Sequence, residues 1–377
     1  MQTYRYRPLN LTVGEFVEVL SVPEILDTLD EGARLEAMPF MPEMLKFAGG
    51  RFRVAKQVSK TCDRVTRTGL RILRDSVLLE GIRCDGEFHG GCEAGCTLLW
   101  KEAWLRRVDD DRPSAPREAS DGRFPLSAEH GVFKATRAEA SSDPSADPVY
   151  SCQATDVLKF TTPPEKHVNN FKNVKNLFHY WHDVRCGNAR FGTVLRVMAI
   201  SAFNHVQRRR GGVTYPPVSG ALTNTPTCSL DLEPGDLVRV KSREEIVATL
   251  DVGERNRGLS FDKEMVPFCG GTYRVLRRVK KIIDEPTGKL IDMKRDCIIL
   301  DEAACQGWYH ELCPRGLYPF WREIWLTRAT GPVSMGEPSG QGSFVLFALT
   351  QTTRAALTRL ARIFGLKDLT RAVPPAP

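Results

Sequence analysis

Val13–Phe40 reads VGEFVEVLSVPEILDTLDEGARLEAMPF, and Pro234–Phe261 reads PGDLVRVKSREEIVATLDVGERNRGLSF. The second stretch matches the first at an offset of 221 residues, without a gap. The same offset carries Gly49-Gly50 onto Gly270-Gly271, Arg51–Val54 onto Thr272–Val275 and Asp75 onto Asp296. Further on it carries Cys84 onto Cys305, His89 onto His310, Cys92 onto Cys313, Trp100 onto Trp321 and Trp104 onto Trp325. Roughly a third of the matched positions are identical. A match of that length with one constant offset marks an internal duplication.

Within each copy the patterning is mainly β. EFVEVL (15–20) and DLVRVK (236–241) alternate apolar and polar residues at period two, as half-buried strands do. SVPEILDTLD (21–30) and SREEIVATLD (242–251) read as short helical turns with Ser21 or Ser242 as N-cap. RFRVAKQV (51–58) and TYRVLRRV (272–279) alternate again, and SVLLEGI (76–82) and CIILDEA (297–303) read as more buried strands. Short strands joined through Gly-Gly turns predict a small barrel. PGDLVRV (234–240) resembles the opening strand of SH3-like barrels, such as those of nitrile hydratase β-subunits and translation proteins. That resemblance implies a fold and not an activity. RCDGEFHGGCEAGCTLLWKEAWL (83–105) and RGLSFDKEMVPFCGGTYRV (257–275) resemble an uncharacterised bacterial family of duplicated SH3-like small-barrel proteins. This second resemblance implies kinship without supplying an activity. The expected fold class is therefore α+β, with two homologous mainly-β small barrels joined by a helical segment.

The expected organisation is a first repeat over 1–108, a linker over 109–148, a basic helical segment over 149–230 and a second repeat over 231–329. A flexible link and a basic amphipathic helix near Gln351–Phe364 fill 330–377. Pro, Ser, Ala and charge dominate 109–147, so FPLSAEHGVF (124–133) is not expected to pack. Asn169–Arg210 reads as two helices broken near Cys186-Gly187-Asn188. The second carries a wide apolar stripe, including Val194, Leu195, Val197, Met198, Ile200 and Val206, which predicts packing on more than one neighbour.

Charge is unevenly placed. The formal net charge is +7, yet Lys159–Gly212 alone carries ten Lys/Arg against Glu165 and Asp183. The N-terminus lacks the apolar run of a signal peptide, and the most apolar stretch, Val194–Phe203, is too short to span a bilayer. These features predict a cytoplasmic protein without a transmembrane segment. Eleven cysteines, an odd number, then favour metal ligands or redox centres over a complete disulfide framework.

CDGEFHGGCEAGC (84–96) holds Cys84, His89, Cys92 and Cys96, a C-x4-H-x2-C-x3-C pattern. Three thiols and an imidazole saturate a tetrahedral zinc ion, and the four glycines allow the backbone to wrap tightly. Zinc is the expected cofactor, one ion here; a histidine among the donors favours it over an iron–sulfur centre. The second copy keeps Cys305, His310 and Cys313 but has Leu317 where Cys96 stands. Cys269 or Cys297 could complete a second zinc site, a three-ligand site could leave an open position, or the loop could hold no metal. Cys62, opposite Ile283, reads as an isolated thiol or a fifth one near the first loop. Cys152, Cys186 and Cys228 lack ligand-like spacing and read as small hydrophobes.

The paired tryptophans of WKEAWL (100–105) and WREIWL (321–326) share a face on a helix or a strand and read as core. Glu102 and Glu323 recur and read as buried polar groups, with a general-base role as the alternative. His179 and His182 read as helix surface. No phosphate loop, dinucleotide fingerprint, HExxH or GxSxG is present. The expected function is a zinc-stabilised, non-catalytic binding or adaptor protein with an unidentified protein or small-molecule ligand. One alternative is nucleic-acid binding through the basic 159–212 segment. The other is a metal-dependent hydrolase or biosynthetic tailoring enzyme built on the second Cys/His loop, with Glu323 as base.

Overall fold

The computed structural model describes residues 4–108, 131–137, 147–163, 174–334 and 344–351. The chain is a mixed α+β protein with two antiparallel β-sheet regions and helices between them in sequence. It divides into two compact units. Unit 1 comprises 1–194, 279–297 and 304–318, and unit 2 comprises 195–278, 298–303 and 319–377. The units cut across the duplication: unit 1 holds the whole first repeat together with two pieces of the second.

In unit 1 a five-stranded sheet runs Trp100–Lys101, Ser76–Leu79, Arg51–Gln57, Phe16–Val19, Leu105–Arg107 in spatial order. The alternation read at 15–20 places Val17 and Val19 at 0% exposure, facing the core. In the second region the order is Leu290–Leu300, Thr272–Ile283, Leu237–Val240, Leu326–Arg328. The two registers coincide through the duplication. Val17 pairs with Phe52 and Arg107, and Val238 pairs with Tyr273 and Arg328. A one-residue slip would turn every buried side chain outward, so a shared register means a shared inward face.

The helical turns follow the first strand of each repeat at Val22–Leu26 and Arg243–Val247. Each is closed at its N-terminus as the sequence predicts. Ser21 N–H donates to Glu24 at 2.9 Å, and Ser242 N–H donates to Glu245 at 2.9 Å. The four tryptophans are fully buried. Phe40 meets the rings of Trp100 and Trp104 edge-on at 6.4 and 5.2 Å, and Phe261 repeats this with Trp321 and Trp325 at 6.3 and 5.4 Å. Trp104 Nε1 donates to Thr28 Oγ1 and Trp325 Nε1 to Thr249 Oγ1, each at 3.0 Å. The tryptophans are therefore core in both copies.

The repeats differ in their hairpins. Thr272–Ile283 and Leu290–Leu300 are long continuous strands. Their counterparts in the first repeat break into Arg51–Gln57, Lys60–Asp63, Gly69–Ile72 and Ser76–Leu79, with a register shift between Val54 and Lys56. The outer piece, 60–72, forms its own two-stranded arm, pairing Cys62 with Leu70.

The central helices span Val174–Arg185 and Phe191–Arg210, broken where the sequence predicts. Gly187 sits at φ +83°, and a side chain there would crowd Val13. The second helix buries Val194, Val197 and Ile200, while Leu195 and Val206 are about half exposed, so the buried stripe is narrower than predicted. In unit 2, Tyr215 packs edge-on to Phe344 at 5.1 Å, bringing the helical residues 344–351 against the segment after that helix. Most of the predicted C-terminal helix lies outside the described residues, as does most of the linker. Within the linker, Gly131–Lys134 are helical, Val132 is 1% exposed and Phe133 packs on Phe88 at 5.1 Å. The end of FPLSAEHGVF thus joins the core, because its apolar pair finds a partner that local composition does not reveal. No helix among the described residues is long and apolar enough to cross a membrane.

Candidate metal-binding loops

The two cysteine loops share one backbone. Cys84 N–H donates to Cys96 O at 2.8 Å and Cys305 N–H to Leu317 O at 2.9 Å, closing each loop at its base. His89 and Gly91 donate to Gly86 O, as His310 and Leu312 donate to Gly307 O. Gly86 and Gly307 have φ near +70°, and a Cβ on them would lie 2.0 and 2.5 Å from the carbonyl oxygens of Cys92 and Cys313. Both positions therefore require glycine on two counts.

His89 is 1% exposed and committed at both ring nitrogens. Nδ1 lies 2.6 Å from Glu43 Oε1, and Nε2 lies 3.1 Å from Ser151 O. Both ring nitrogens thus face protein oxygens, and the imidazole ties the loop to Glu43 and to the segment containing Cys152. That segment brings a thiol the sequence spacing did not single out. Burial pushes up the thiols of Cys84 and Cys92, that of Cys96 to about 12 and that of Cys152 to about 11. Negative charge on one is felt by others. Cys96 and Cys152 act on Cys84, Cys92 and Cys152 act on Cys96, and Cys92 acts on Cys152. Cys84 and Cys152 also pack against the same apolar core. The four thiols thus share one neighbourhood in unit 1, without converging closely enough among the described residues to be grouped as ligands of one ion.

The second loop belongs to unit 1 and lies beside the first. Arg83 donates to Gly95 O and Gly316 O at 2.9 Å each, and its guanidinium stacks 3.7 Å from the Tyr318 ring centroid. Thr97 Oγ1 donates to Arg315 O at 2.6 Å. The arms of the two repeats then exchange places. Ile283 N–H, on the second repeat's hairpin, points at Cys92 Sγ at 3.4 Å, while Cys62 N–H, on the first repeat's arm, points at Cys313 Sγ at 3.2 Å. Both contacts join equivalent positions, 62 to 313 and 283 to 92. Arg64 and Glu285, also equivalent positions, pair with each other at 3.4 Å. The side chain of Cys313 lowers the pKa of Cys62, and the side chain of Cys62 with burial raises that of Cys313. Buried Arg315 reaches the Cys62 carbonyl at 3.5 Å and Glu285 at 3.7 Å.

The other candidates fall out as follows. Cys269 packs in the core of unit 2, and Cys297, fully buried on its strand, donates to Arg295 O at 3.7 Å. Among the described residues, Glu264, Cys305 and His310 form a group that could hold a metal ion. Cys186 is buried and Cys228 exposed. Glu102 accepts the backbone N–H groups of Asn10 and Leu11 at 2.9 and 3.0 Å. Glu323 does the same for Leu230, Asp231 and Leu232 and pairs with Arg278 at 2.6 Å. Burial alone would raise the pKa of Glu323, but these backbone donors and Arg278 lower it. Both glutamates are thus occupied in pinning the irregular segment that leads into the first strand of each repeat. His182 Nε2 lies 2.9 Å from Gln57 Oε1, and His179 is held below the usual imidazole pKa by burial and by Lys60. Next to His182 on the same helix, Asp183 is fully buried and pairs with buried Lys60 at 2.6 Å. The sequence offered one signal for this pair, an acidic residue in an otherwise basic helix.

No protein-family model matches this chain, and neither a curated protein nor a solved structure is similar to it.

Proposed function

We propose that the protein is a non-catalytic binding or adaptor protein of duplicated, SH3-like small-barrel type, whose first loop is stapled by a structural zinc ion. The mutual electrostatic influence of Cys84, Cys92, Cys96 and Cys152 around one glycine-closed loop carries this reading, and a bound ion would draw the four thiols together. Four thiolates suit zinc and leave no open position for a substrate. A bound cation would also reverse the upward push that burial gives these thiols. On this reading His89 orients the loop through Glu43 and Ser151 O, and Cys152 takes the place as donor that the spacing had suggested for the imidazole. The occupation of Glu102 and Glu323 by backbone donors supports a scaffold over a hydrolase.

Elemental analysis of the purified chain tests the proposal. About one zinc should be present, lost on replacing Cys84 or Cys152 by Ser and retained in His89→Gln. Chelation should lower the thermal midpoint with no substrate present. Protein that holds no zinc, or that loses it only through His89, ends this reading.

One observation favours nucleic-acid binding as a second reading. Phe178, Trp181 and Phe191 are 67%, 62% and 58% exposed, and Arg185 and Arg190 are exposed beside them in sequence. Exposed aromatics interleaved with arginines are the elements of a stacking surface for single strands. Oligonucleotide affinity that falls steeply with salt and drops in Trp181→Ala would support it. Affinity indifferent to salt would remove it.

A further inference from the structure

We propose that Cys62 and Cys313 form a peroxide-responsive thiol pair whose oxidation links the two repeats through a disulfide. The two residues are 251 apart in sequence, yet Cys62 N–H donates to Cys313 Sγ at 3.2 Å. Both lie in unit 1. The arm bearing Cys62 is a two-stranded hairpin paired from Lys60 to Ile72 and Asp63 to Gly69, which holds the thiol in a fixed position. The equivalent contact supplies an internal control. Ile283 takes the place of Cys62 beside Cys92 and gives the same N–H to sulfur approach at 3.4 Å. The exchange of arms explains the approach itself, and only the 62–313 copy has a second sulfur there.

Exposure assigns the roles. Cys313 is 4% exposed, whereas Cys62 is partly exposed, which makes Cys62 the thiol that meets the oxidant first in the proposed sequence. The oxidant class is hydroperoxide. Cys62 sulfur attacks one peroxide oxygen and the O–O bond breaks, giving a sulfenic acid and, for hydrogen peroxide, one water. Cys313 sulfur then attacks Cys62 sulfur, the S–O bond breaks, and a second water leaves with the thiol proton. Two thiols and one peroxide become one disulfide and two waters.

The test treats the full-length, metal-replete chain with hydrogen peroxide and maps its disulfides by non-reducing proteolysis and mass spectrometry. The expected product joins the peptide containing Cys62 to that containing Cys313, with the loss of two free thiols and recovery of both on reduction. The link should persist in Cys305→Ser and Cys297→Ser and vanish in Cys313→Ser. In Cys313→Ser, Cys62 should instead be trapped by a sulfenic-acid reagent, a readout that a misfolded variant would extend to other cysteines. The converse variant, Ile283→Cys, should acquire a second link, to Cys92, in chelated protein. Cys62 that remains fully alkylatable after peroxide, or that links elsewhere than Cys313, overturns the proposal.

Discussion

The two cysteine loops have the same backbone and different side-chain chemistry. In the first, Gly90 and Gly91 take φ of +65° and +75°; in the second, Glu311 and Leu312 stand at the same positions with φ of +51° and +58°. Non-glycine residues pay for that conformation by roughly 1–2 kcal/mol each, yet the second loop keeps the shape. The shape is therefore enforced by what the loops share: the closing bond at the base, the donors onto Gly86 O or Gly307 O, and a glycine under the cysteine carbonyl. Thiol content was free to diverge once that frame was fixed. Cys96 became Leu317, and the thiol that Cys313 meets comes from the other repeat's arm.

The comparison breaks most sharply at the shared glycine. Gly86→Ala would set a Cβ 2.0 Å from Cys92 O, and nothing flexible can move away. We expect a loss on the order of 5 kcal/mol, or no folded protein, read from the denaturant midpoint. Gly91→Ala has the same sign of φ but open space around the new Cβ, and should lose only about 1 kcal/mol. Similar losses at the two sites would mean that backbone strain, and not the close approach, fixes the loop.

The arms supply the next contrast. Lys60 is 3% exposed and pairs with Asp183, while its equivalent, Lys281, is exposed. Lys60→Ala leaves a buried carboxylate without its cation and should cost about 3 kcal/mol or more. Lys281→Ala should fall within about 0.5 kcal/mol of the parent chain. Equal effects would show that the arms are energetically equivalent despite their different partners.

The smallest expected effect is a pH dependence confined to the first arm. Burial alone would raise the pKa of Asp63, but hydrogen bonds from the backbone of Thr66 and the hydroxyls of Thr66 and Thr68 outweigh it and hold the carboxyl at about 2. The folded-state pKa lies below the ordinary value of about 4. The arm's contribution is thus present above about pH 4 and is lost as pH falls towards 2. Asp63→Asn should flatten the stability profile over that window. An unchanged profile would mean that the turn survives protonation.

Much of the architecture was legible along the chain. The period-two alternation of 15–20 and 236–241, the serine caps, the helix break at Gly187 and the buried tryptophan pairs are all local patterns. All but the helix break were repeated at one offset, which doubled the signal. The cysteine loop was legible as a loop, since its glycines and spacing are contiguous. The surroundings of its donors were not, because the contacts of His89 with Glu43 and Ser151 O and the nearness of Cys152 depend on residues far along the chain. The same holds for Glu102 and Glu323, whose recurrence was visible but whose backbone partners lie some ninety residues away.

By itself, the sequence determined the duplication, the first strand and helical turn of each copy with the inward face of that strand, and the buried tryptophan pairs. These depend on periodicity and propensity within a few residues, and the repeat made them certain. Only the tertiary structure decided that the first repeat shares a compact unit with the second repeat's arm and loop, that Cys152 lies near the first loop, and that the backbone of Cys62 meets Cys313 Sγ. The physical reason is separation: contacts spanning 251 and 191 residues arise from how two like surfaces exchange their arms, and no local pattern in the chain encodes that exchange.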